Sequence, residues 1–417
     1  MSAGTAERVQ QAGVGLHGKA RYALVLGGLS AFGPLSIDMY LPALPAMTGD
    51  LHSADTTLQL TLTAFIIGIA IGQIVIGPLS DAMGRRRPLV AGLALYVIGS
   101  VLCAISPTAE LLIVARVVQA IGAAAGIVIA RATVRDLFSG TAMTKFFSML
   151  MLVNGLAPIL APIVGGQVLT MTSWRGVFVV LSVFGAVLLA VVTVALPEPL
   201  PVELRTPARP SSILRTYAQL LTDRTFIGYA LASGLMFAGL FAYISGSSFV
   251  LQGVYGLSPQ AYSLVFGLNG VGIVLVGQLN GRIVGRFTER TLLTAGLLAS
   301  FAGGLGVLLA ATLHLGLVGL LVPLLVLVSS IGLVMPNASS LALANQAKNA
   351  GSASALLGVL QFIVGGLATP LVGLGGPGTA VPMTVVMAGF TTLALITYLT
   401  LARRRSFAGE RPEVGIA

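Results

Sequence analysis

Charged residues are scarce in this sequence of 417 amino acids. They make up 9% of the chain, whereas hydrophobic residues make up 56%. Soluble globular domains carry about 25% charged residues. Apolar runs of roughly 20 residues, the length that crosses a bilayer as a helix, recur along the whole chain. The scarcity of charge therefore excludes a water-soluble protein and predicts a membrane protein.

Side chains that bind metals or form disulfides are equally rare. Cys103 is the only cysteine and lies in an apolar run, which excludes a disulfide framework and a thiolate metal site. The histidines, His17, His52 and His314, are too scattered to suggest a metal cluster. We therefore expect no metal and no cofactor.

The sequence also lacks the patterns of an enzyme, an ATP-driven pump or a channel. No span carries a His–Asp pair, paired carboxylates or a Ser–His arrangement. No phosphate-binding loop of the Gly-x-x-x-x-Gly-Lys-Ser type is present. The rings of charge or filter loops that channel selectivity needs are missing as well. These absences argue against an intramembrane enzyme, against ATP as the energy source and against a channel.

Twelve apolar segments are long enough to span the bilayer, and the first is too long for the core of a signal peptide. The polar connection 197–225, rich in proline and charge, divides the chain into halves at 22–196 and 226–402. Short terminal segments, 1–21 and 403–417, remain outside the halves. The predicted spans are 22–45, 57–79, 88–106, 110–133, 146–170, 174–196, 226–250, 260–282, 291–312, 316–340, 352–374 and 379–402.

The positive charges predict the orientation of the chain. All but two of the 23 lysines and arginines lie in the termini, in the even-numbered connections or at the adjoining span ends. Because positive residues stay on the cytoplasmic side, both termini are expected in the cytoplasm. The same spread over many loops that face a bilayer excludes a nucleic-acid-binding surface. The two exceptions are Arg175, where the fifth connection meets the outer end of the sixth span, and Arg116, inside the fourth span.

Asp38 and Arg116 are the only charged residues placed deep in the predicted spans. Both lie roughly 10 Å below the outer edge of the hydrocarbon, by the rise of 1.5 Å per residue. An ion pair between them, or a shared wet cavity, would lower the cost of burying each charge.

Small residues recur every four positions in several spans. Gly68 and Gly72 lie in span two, and Gly122 and Gly126 lie in span four. This spacing predicts close packing of helix backbones.

The loop between spans two and three reads GPLSDAMGRRRP, residues 77–88. Gly77 and Gly84 would permit a tight turn. The positive-inside bias alone would explain the arginines, but it does not explain Asp81 between two glycines. The whole pattern resembles the most specific motif of the major facilitator superfamily.

Further stretches extend this resemblance over nearly the full chain. RVVQAIGAAAG (116–126) resembles the Arg-x-x-Gln-Gly motif, with Ala120 in place of glycine, and NGLAPILAPIVGG (154–166) resembles the antiporter motif, with Ala161 in place of glycine. GQLNGRIVGR (277–286) looks like a second copy of the loop motif that lacks the acid, as expected for a parallel repeat. Together with SIDMYLPALP (36–45), ARATVRDLF (130–138) and ASGLMFAGLFAYISGSSFV (232–250), these stretches resemble the bicyclomycin-resistance (Bcr/CflA) multidrug efflux family.

The resemblance implies an all-α integral membrane protein, with twelve transmembrane helices in two pseudo-symmetric six-helix bundles. This is the major facilitator fold, in which the bundles rock to open a central cavity to alternate sides. It implies a monomer in the bacterial inner membrane that exports small amphipathic drugs, bicyclomycin- or phenicol-like, while protons enter. The proton gradient is then the energy source. The alternative is a proton-coupled exporter or importer of one small metabolite.

The resemblance also assigns roles to the two deep charges. Asp38 matches the embedded acid that binds the proton, and a cationic drug when it is deprotonated. The alternative is an interfacial aspartate that caps the outer helix end near Pro42 and Pro45. Arg116 matches the arginine linked to proton coupling, and its alternative is a buried structural charge.

Other residues are candidates for the drug site. Gln119 and Asn154 would donate hydrogen bonds into the cavity, or else join helices. Tyr40, Phe241 and Tyr243 would line an aromatic pocket, or else act as interfacial anchors.

The motifs also predict a cytoplasmic gate and a group of residues that bend span five. Arg85 should pair with Asp136 at the cytoplasmic end of span four. The antiporter stretch should bend span five through Pro158, Pro162, Gly165 and Gly166. The predicted cytoplasmic gate comprises Gly77, Asp81, Gly84, Arg85, Arg86, Arg135 and Asp136.

Overall fold

The computed structural model describes residues 16–138, 140–205, 217–344, 346, 350–374 and 378–402. Within these ranges, twelve helical segments are long and apolar enough to cross a membrane, which confirms the predicted all-helical fold. The predicted tail 403–417, and all but 16–21 of the N-terminal segment, lie outside the described residues. The helices are α1 (Leu16–Asp38), α2 (Asp55–Met83), α3 (Arg86–Ile105), α4 (Ala109–Leu137), α5 (Gly140–Met171), α6 (Trp174–Ala195), α7 (Arg224–Ser248), α8 (Pro259–Ile283), α9 (Glu289–Thr312), α10 (Gly316–Leu343), α11 (Ala350–Gly373) and α12 (Val381–Thr397).

The outer faces of these helices are apolar. Ile98, Val114, Val183, Leu298 and Val318 each expose more than half of their surface. Soluble monomers rarely expose so many large apolar side chains along so many helices. Such faces fit a multi-pass membrane protein, whose solvent is lipid.

The first compact unit comprises Met1–Ala208 together with Ser258–Gly267. In it, α4 packs against α1, α2 and α3, while α1 also packs on α5 and α3 on α6. A Cβ atom added at Gly68 or Gly72 would lie 2.6 Å from the Cβ atom of Ala120 or Ala124. The close approach of α2 and α4 at the predicted small residues is therefore confirmed.

The second compact unit comprises Arg209–Leu257 and Leu268–Ala417. Its α7 packs against α10, α11 and α12, and its α9 packs against α10 and α12. The first unit shows the same pairs six helices earlier, since α1 packs on α4, α5 and α6, and α3 on α4 and α6. This equivalence is the parallel pseudo-repeat expected of the fold.

The first helix of each unit departs from regular α-helix. After α1 ends at Asp38, the first span continues through the short helices Leu41–Ala43 and Leu44–Asp50. This span therefore ends at Asp50 rather than at the predicted residue 45. In the second unit, α7 continues into a π-helical turn at Phe249–Val254, a feature frequent at functional sites.

Candidate functional site

Arg116 lies at the centre of a buried polar cluster in the first unit, with no exposed surface. Its Nη1 donates to Oε1 of Gln119 at 2.6 Å, and its Nη2 donates to the carbonyl oxygen of Ser36 at 2.9 Å. The guanidinium carbon lies 4.2 Å from the ring centre of Phe65 and 4.5 Å from that of Tyr40. Two hydrogen bonds and the cation–π contacts thus compensate part of the cost of the buried charge, while Nε has no hydrogen-bond partner among the described residues.

The cluster extends from α4 into α3. Gln119 lies one turn after Arg116 on the same face of α4 and donates from Nε2 to Oγ of Ser100 at 2.8 Å. The hydroxyls of Tyr96 and Ser36 are also 2.8 Å apart. A Cβ atom at Gly99 would lie 2.5 Å from the backbone nitrogen of Gln119. Glycine at position 99 therefore lets α3 approach closely enough for Ser100 to meet Gln119.

Asp38 is the last residue of α1 and is 4% exposed. Its carboxylate makes no hydrogen bond or ion pair with any residue that the structure describes. Of the two alternatives, an ion pair with Arg116 or a shared wet cavity, the ion pair is absent, because Arg116 donates to Gln119 and Ser36 instead. The C-terminus of a helix carries partial negative charge and gives a carboxylate no compensation. Within the part of the chain that the structure describes, Asp38 is thus a buried acid without a counter-ion.

The candidate aromatic residues are all buried, so none is placed as an interfacial anchor. The Tyr40 hydroxyl lies 2.9 Å from Oγ1 of Thr61, while its ring faces Arg116. In the second unit, the Tyr243 hydroxyl accepts a hydrogen bond from Nδ2 of Asn269 at 2.9 Å. Phe241 is 2% exposed and packs against a neighbouring phenylalanine on α7. The amide of Asn269 was missed by the sequence analysis, because asparagine in a long apolar span carries no motif.

The helix α5 is continuous through Pro158 and Pro162. Asn154 on this helix donates from Nδ2 to the carbonyl oxygen of Leu150 at 2.8 Å, so its amide bonds within its own helix rather than to another. The carbonyl oxygen of Pro162 accepts a hydrogen bond of 2.8 Å from Oγ of Ser263.

The adjacent glycines of the antiporter stretch bring α5 close to two other segments of the first unit. A Cβ atom at Gly165 would overlap the carbonyl oxygen of Met39, the residue after Asp38. A Cβ atom at Gly166 would lie 2.7 Å from Oγ of Ser263. Gly165 therefore allows α5 to pack directly against the turn that follows Asp38.

We expect Gly165→Ala to lower the apparent melting temperature of the purified protein by several degrees. The added methyl group meets a backbone oxygen that cannot move aside, and overpacking of this kind costs about 1–3 kcal/mol. Gly389→Ala is the matched control, because a Cβ atom there meets nothing within 4 Å. Alanine is favoured over glycine inside a helix by about 1 kcal/mol, so this control should melt at the same temperature or higher. Equal melting of the two variants would contradict the contact at Gly165.

At the other end of the first unit, Arg85 is held by two acids. Its Nε donates to Oδ2 of Asp136 at 2.7 Å, and its Nη1 donates to Oδ1 of Asp81 at 2.5 Å and to Oγ of Ser80 at 2.8 Å. The predicted pair of Arg85 and Asp136 is therefore present. Burial lowers the pKa of Arg85, but the bonds to Asp136 and Asp81 outweigh it and raise the pKa above its usual value.

Two members of the predicted gate lie outside this cluster. Arg135 is exposed and makes no hydrogen bond or ion pair with the described residues. Gly77 lies inside α2 rather than in a turn, and a Cβ atom there would meet nothing within 4 Å. The turn itself is made by Gly84, whose φ is +89°, a conformation that favours glycine.

Glu198, after the end of α6, is a member of the cluster that the sequence did not reveal. Its Oε1 accepts a hydrogen bond from the backbone nitrogen of Arg85 at 2.7 Å, and its Oε2 accepts one from that of Arg86 at 3.1 Å. Arg86 in turn donates from Nη2 to the carbonyl oxygen of Thr193 at 2.5 Å. No local pattern marks Glu198, because it lies in the connection that reads as a linker.

Comparisons with known proteins indicate the same superfamily as the sequence motifs. Residues 26–369 match the family model described as Major Facilitator Superfamily. The uncharacterised MFS-type transporter YdgK of Bacillus subtilis (strain 168) is 40% identical, over 93% of this chain and 97% of that protein. The bicyclomycin resistance protein homolog of Haemophilus influenzae is 32% identical, over 92% and 96%. The chloramphenicol resistance protein of Pseudomonas aeruginosa is 29% identical, over 89% and 88%.

Solved structures share the fold at low sequence identity. A bacterial homologue of the human lysosomal transporter Spinster superposes with a TM-score of 0.74 at 16% identity, over 91% of this chain and 98% of that one. A D-xylose–proton symporter superposes with a TM-score of 0.71, also at 16% identity, over 92% and 97%.

Proposed function

This chain belongs to the major facilitator superfamily, among its multidrug efflux members, and from that premise we propose that it is a proton-driven antiporter of small amphipathic drugs. Bicyclomycin-like and phenicol-like compounds are the expected substrates, by similarity to the relatives named for resistance to them. The proposal places the protein as a monomer in the bacterial inner membrane, with both termini in the cytoplasm. The proton gradient supplies the energy and no cofactor takes part.

The observation that carries the proposal is the burial of Asp38 without a counter-ion among the described residues. Asp38 also terminates α1. An ionised group in such surroundings is costly, and binding a proton removes that cost. A cationic or hydrogen-bond-donating group of a drug is an alternative ligand for the same carboxylate. Competition between proton and drug at one acid is the basis of obligatory exchange.

The backbone on both sides of Asp38 is held in place, which supports a binding role. The carbonyl of Ser36 accepts a hydrogen bond from Arg116, and the carbonyl of Met39 packs on Gly165. Arg116 thus acts on Asp38 through the end of α1 rather than as its ionic partner. The carboxyl group is presented from a fixed position while its own atoms stay free to exchange a ligand.

The cluster of Asp81, Arg85 and Asp136 would serve as a cytoplasmic gate. It joins the end of α2, the start of α3 and the end of α4 by ion pairs within one unit. Asp81 is 42% exposed, so its pair with Arg85 can form and break during a transport cycle at modest cost. Arg85 and Asp136 are both largely buried, so their pair costs more to break and would hold the closed gate.

The alternative is a carrier of one small metabolite. Likeness to a sugar symporter supports only the fold, because the identity is 16%. The two functions differ in breadth of substrate, and that difference can be measured.

Cells that produce the protein should accumulate less of several chemically unrelated drugs than cells with an empty vector. A protonophore should abolish the difference, whereas depletion of ATP with the proton gradient maintained should not. A difference that is limited to one solute, or that needs ATP, would contradict the proposal. Equal accumulation of all drugs in both strains would favour the metabolite carrier.

A further inference from the structure

We propose that Glu198 caps the N-terminus of α3 and that, through this cap, it positions Arg85 in the Asp81–Arg85–Asp136 cluster. Its meaning for transport rests on the proposed function, but the contacts themselves do not. The first backbone N–H groups of a helix have no partner within the helix. At the start of α3, the N–H groups of Arg85 and Arg86 donate to the two carboxylate oxygens of Glu198.

The capping is reciprocal. The last carbonyl groups of a helix are also without partners within it, and the C-terminus attracts cations as the N-terminus attracts anions. Arg86 donates to the carbonyl oxygen of Thr193 in the last turn of α6. Glu198, just beyond α6, caps the N-terminus of α3. Each helix thus supplies the charge that suits the end of the other, and the two ends are locked together.

Gly84 leaves space for these reciprocal contacts of Glu198 and Arg86, which we call the lock. A Cβ atom at position 84 would lie 2.6 Å from Oε2 of Glu198, and the φ of +89° is strained for other residues. The motif glycine is therefore needed both for the turn and for the approach of the carboxylate.

The lock determines where the guanidinium of Arg85 lies. Glu198 fixes the main chain of Arg85, while Asp81 and Asp136 bind its side chain. If the main chain were released, the side chain would reach its two acids from a variable position. Glu198 also accepts a hydrogen bond of 3.1 Å from the backbone nitrogen of Leu200. The lock therefore also fixes how the connection to the second half leaves α6.

Hydrogen exchange of the backbone amides tests the cap directly, by mass spectrometry of peptides that cover residues 84–88. In Glu198→Ala the amides of Arg85 and Arg86 should exchange about tenfold faster or more, because their acceptors are gone. Glu198→Gln retains one neutral acceptor oxygen and should show an intermediate rate. Glu203→Ala is the matched control, because Glu203 is exposed and makes no hydrogen bond with the described residues. Exchange in the control should equal that of the wild type.

A second measurement separates positioning from mere stiffening of the loop. If Glu198 positions Arg85 for Asp136, then Asp136→Asn should lower the melting temperature less in the Glu198→Gln background than in the wild type. If the two substitutions lowered the melting temperature additively, the positioning role would be overturned. If the amides of Arg85 and Arg86 exchanged as slowly in Glu198→Gln as in Glu203→Ala, the cap would be overturned. Should Glu198→Ala fail to fold, the Gln variant decides both tests. Neither readout needs transport, so failure here is distinct from failure of the proposed function.

Discussion

Asp38→Asn should reduce proton-driven drug transport at least tenfold, to the level of liposomes without protein. Asparagine has nearly the same shape as aspartate but cannot bind and release a proton. Asp38 has no partner among the described residues whose bond the change would break, so the variant should fold and melt at or above the temperature of the wild type. The measurement is uptake of a labelled phenicol into proteoliposomes under an imposed pH gradient.

The matched control is Asp55→Asn. Asp55 lies at the start of α2, is only partly buried, and accepts a hydrogen bond from Oγ1 of Thr48 at 3.2 Å. The same substitution there should change transport by less than about twofold, since Asp55 lies outside the Arg116 cluster and its one long, partly exposed hydrogen bond contributes little. If the Asp38→Asn variant transported the phenicol at the wild-type rate, another group would have to carry the proton.

Arg116→Ala should lower the stability of the protein by about 3 kcal/mol or more. The change removes two hydrogen bonds, leaves the oxygens of Gln119 and Ser36 without their donor, and opens a cavity beside the rings of Tyr40 and Phe65. Arg116→Lys should cause an intermediate loss, because an ammonium cannot reproduce the planar fork that donates in two directions and stacks on rings. Thermal unfolding of the purified protein in detergent measures both.

Arg175→Ala is the control for the loss of an arginine as such. Arg175 is 38% exposed, and its Nη1 lies 3.6 Å from Oδ2 of Asp50. Exposed ion pairs contribute about 0–1 kcal/mol, so this variant should melt close to the wild type. If Arg116→Ala melted at the same temperature as Arg175→Ala, the cluster around Arg116 would not support the fold.

The sequence predicted the features that depend on composition and on local motifs. Twelve spans followed from apolar runs, and the pair of Arg85 and Asp136 followed from two motifs that are each specific. The glycines of spans two and four predicted close packing because their spacing places them on one face of a helix. These signals are local in the sequence, and the structure contains the spans, the ion pair and the close packing that they predicted.

Features that depend on the direction of a side chain were not predictable in this way. Equal depth suggested that Asp38 and Arg116 pair, but depth says nothing about which face of its helix each residue occupies. The apolar run predicted a first span that ends at residue 45, whereas Pro42 and Pro45 lie in the first turns of two short helices that carry the span to Asp50. Glu198 was missed because its partners are more than a hundred residues away in the chain.

The most direct test of the account is proton movement in inverted membrane vesicles with an acid interior, followed with a pH-sensitive dye. Addition of a phenicol or a lipophilic cation should collapse the gradient in vesicles that carry the wild-type protein and not in vesicles that carry Asp38→Asn. Equal collapse in both would contradict the role of Asp38. No collapse with any drug, in vesicles shown to contain the inserted protein, would contradict drug–proton exchange itself.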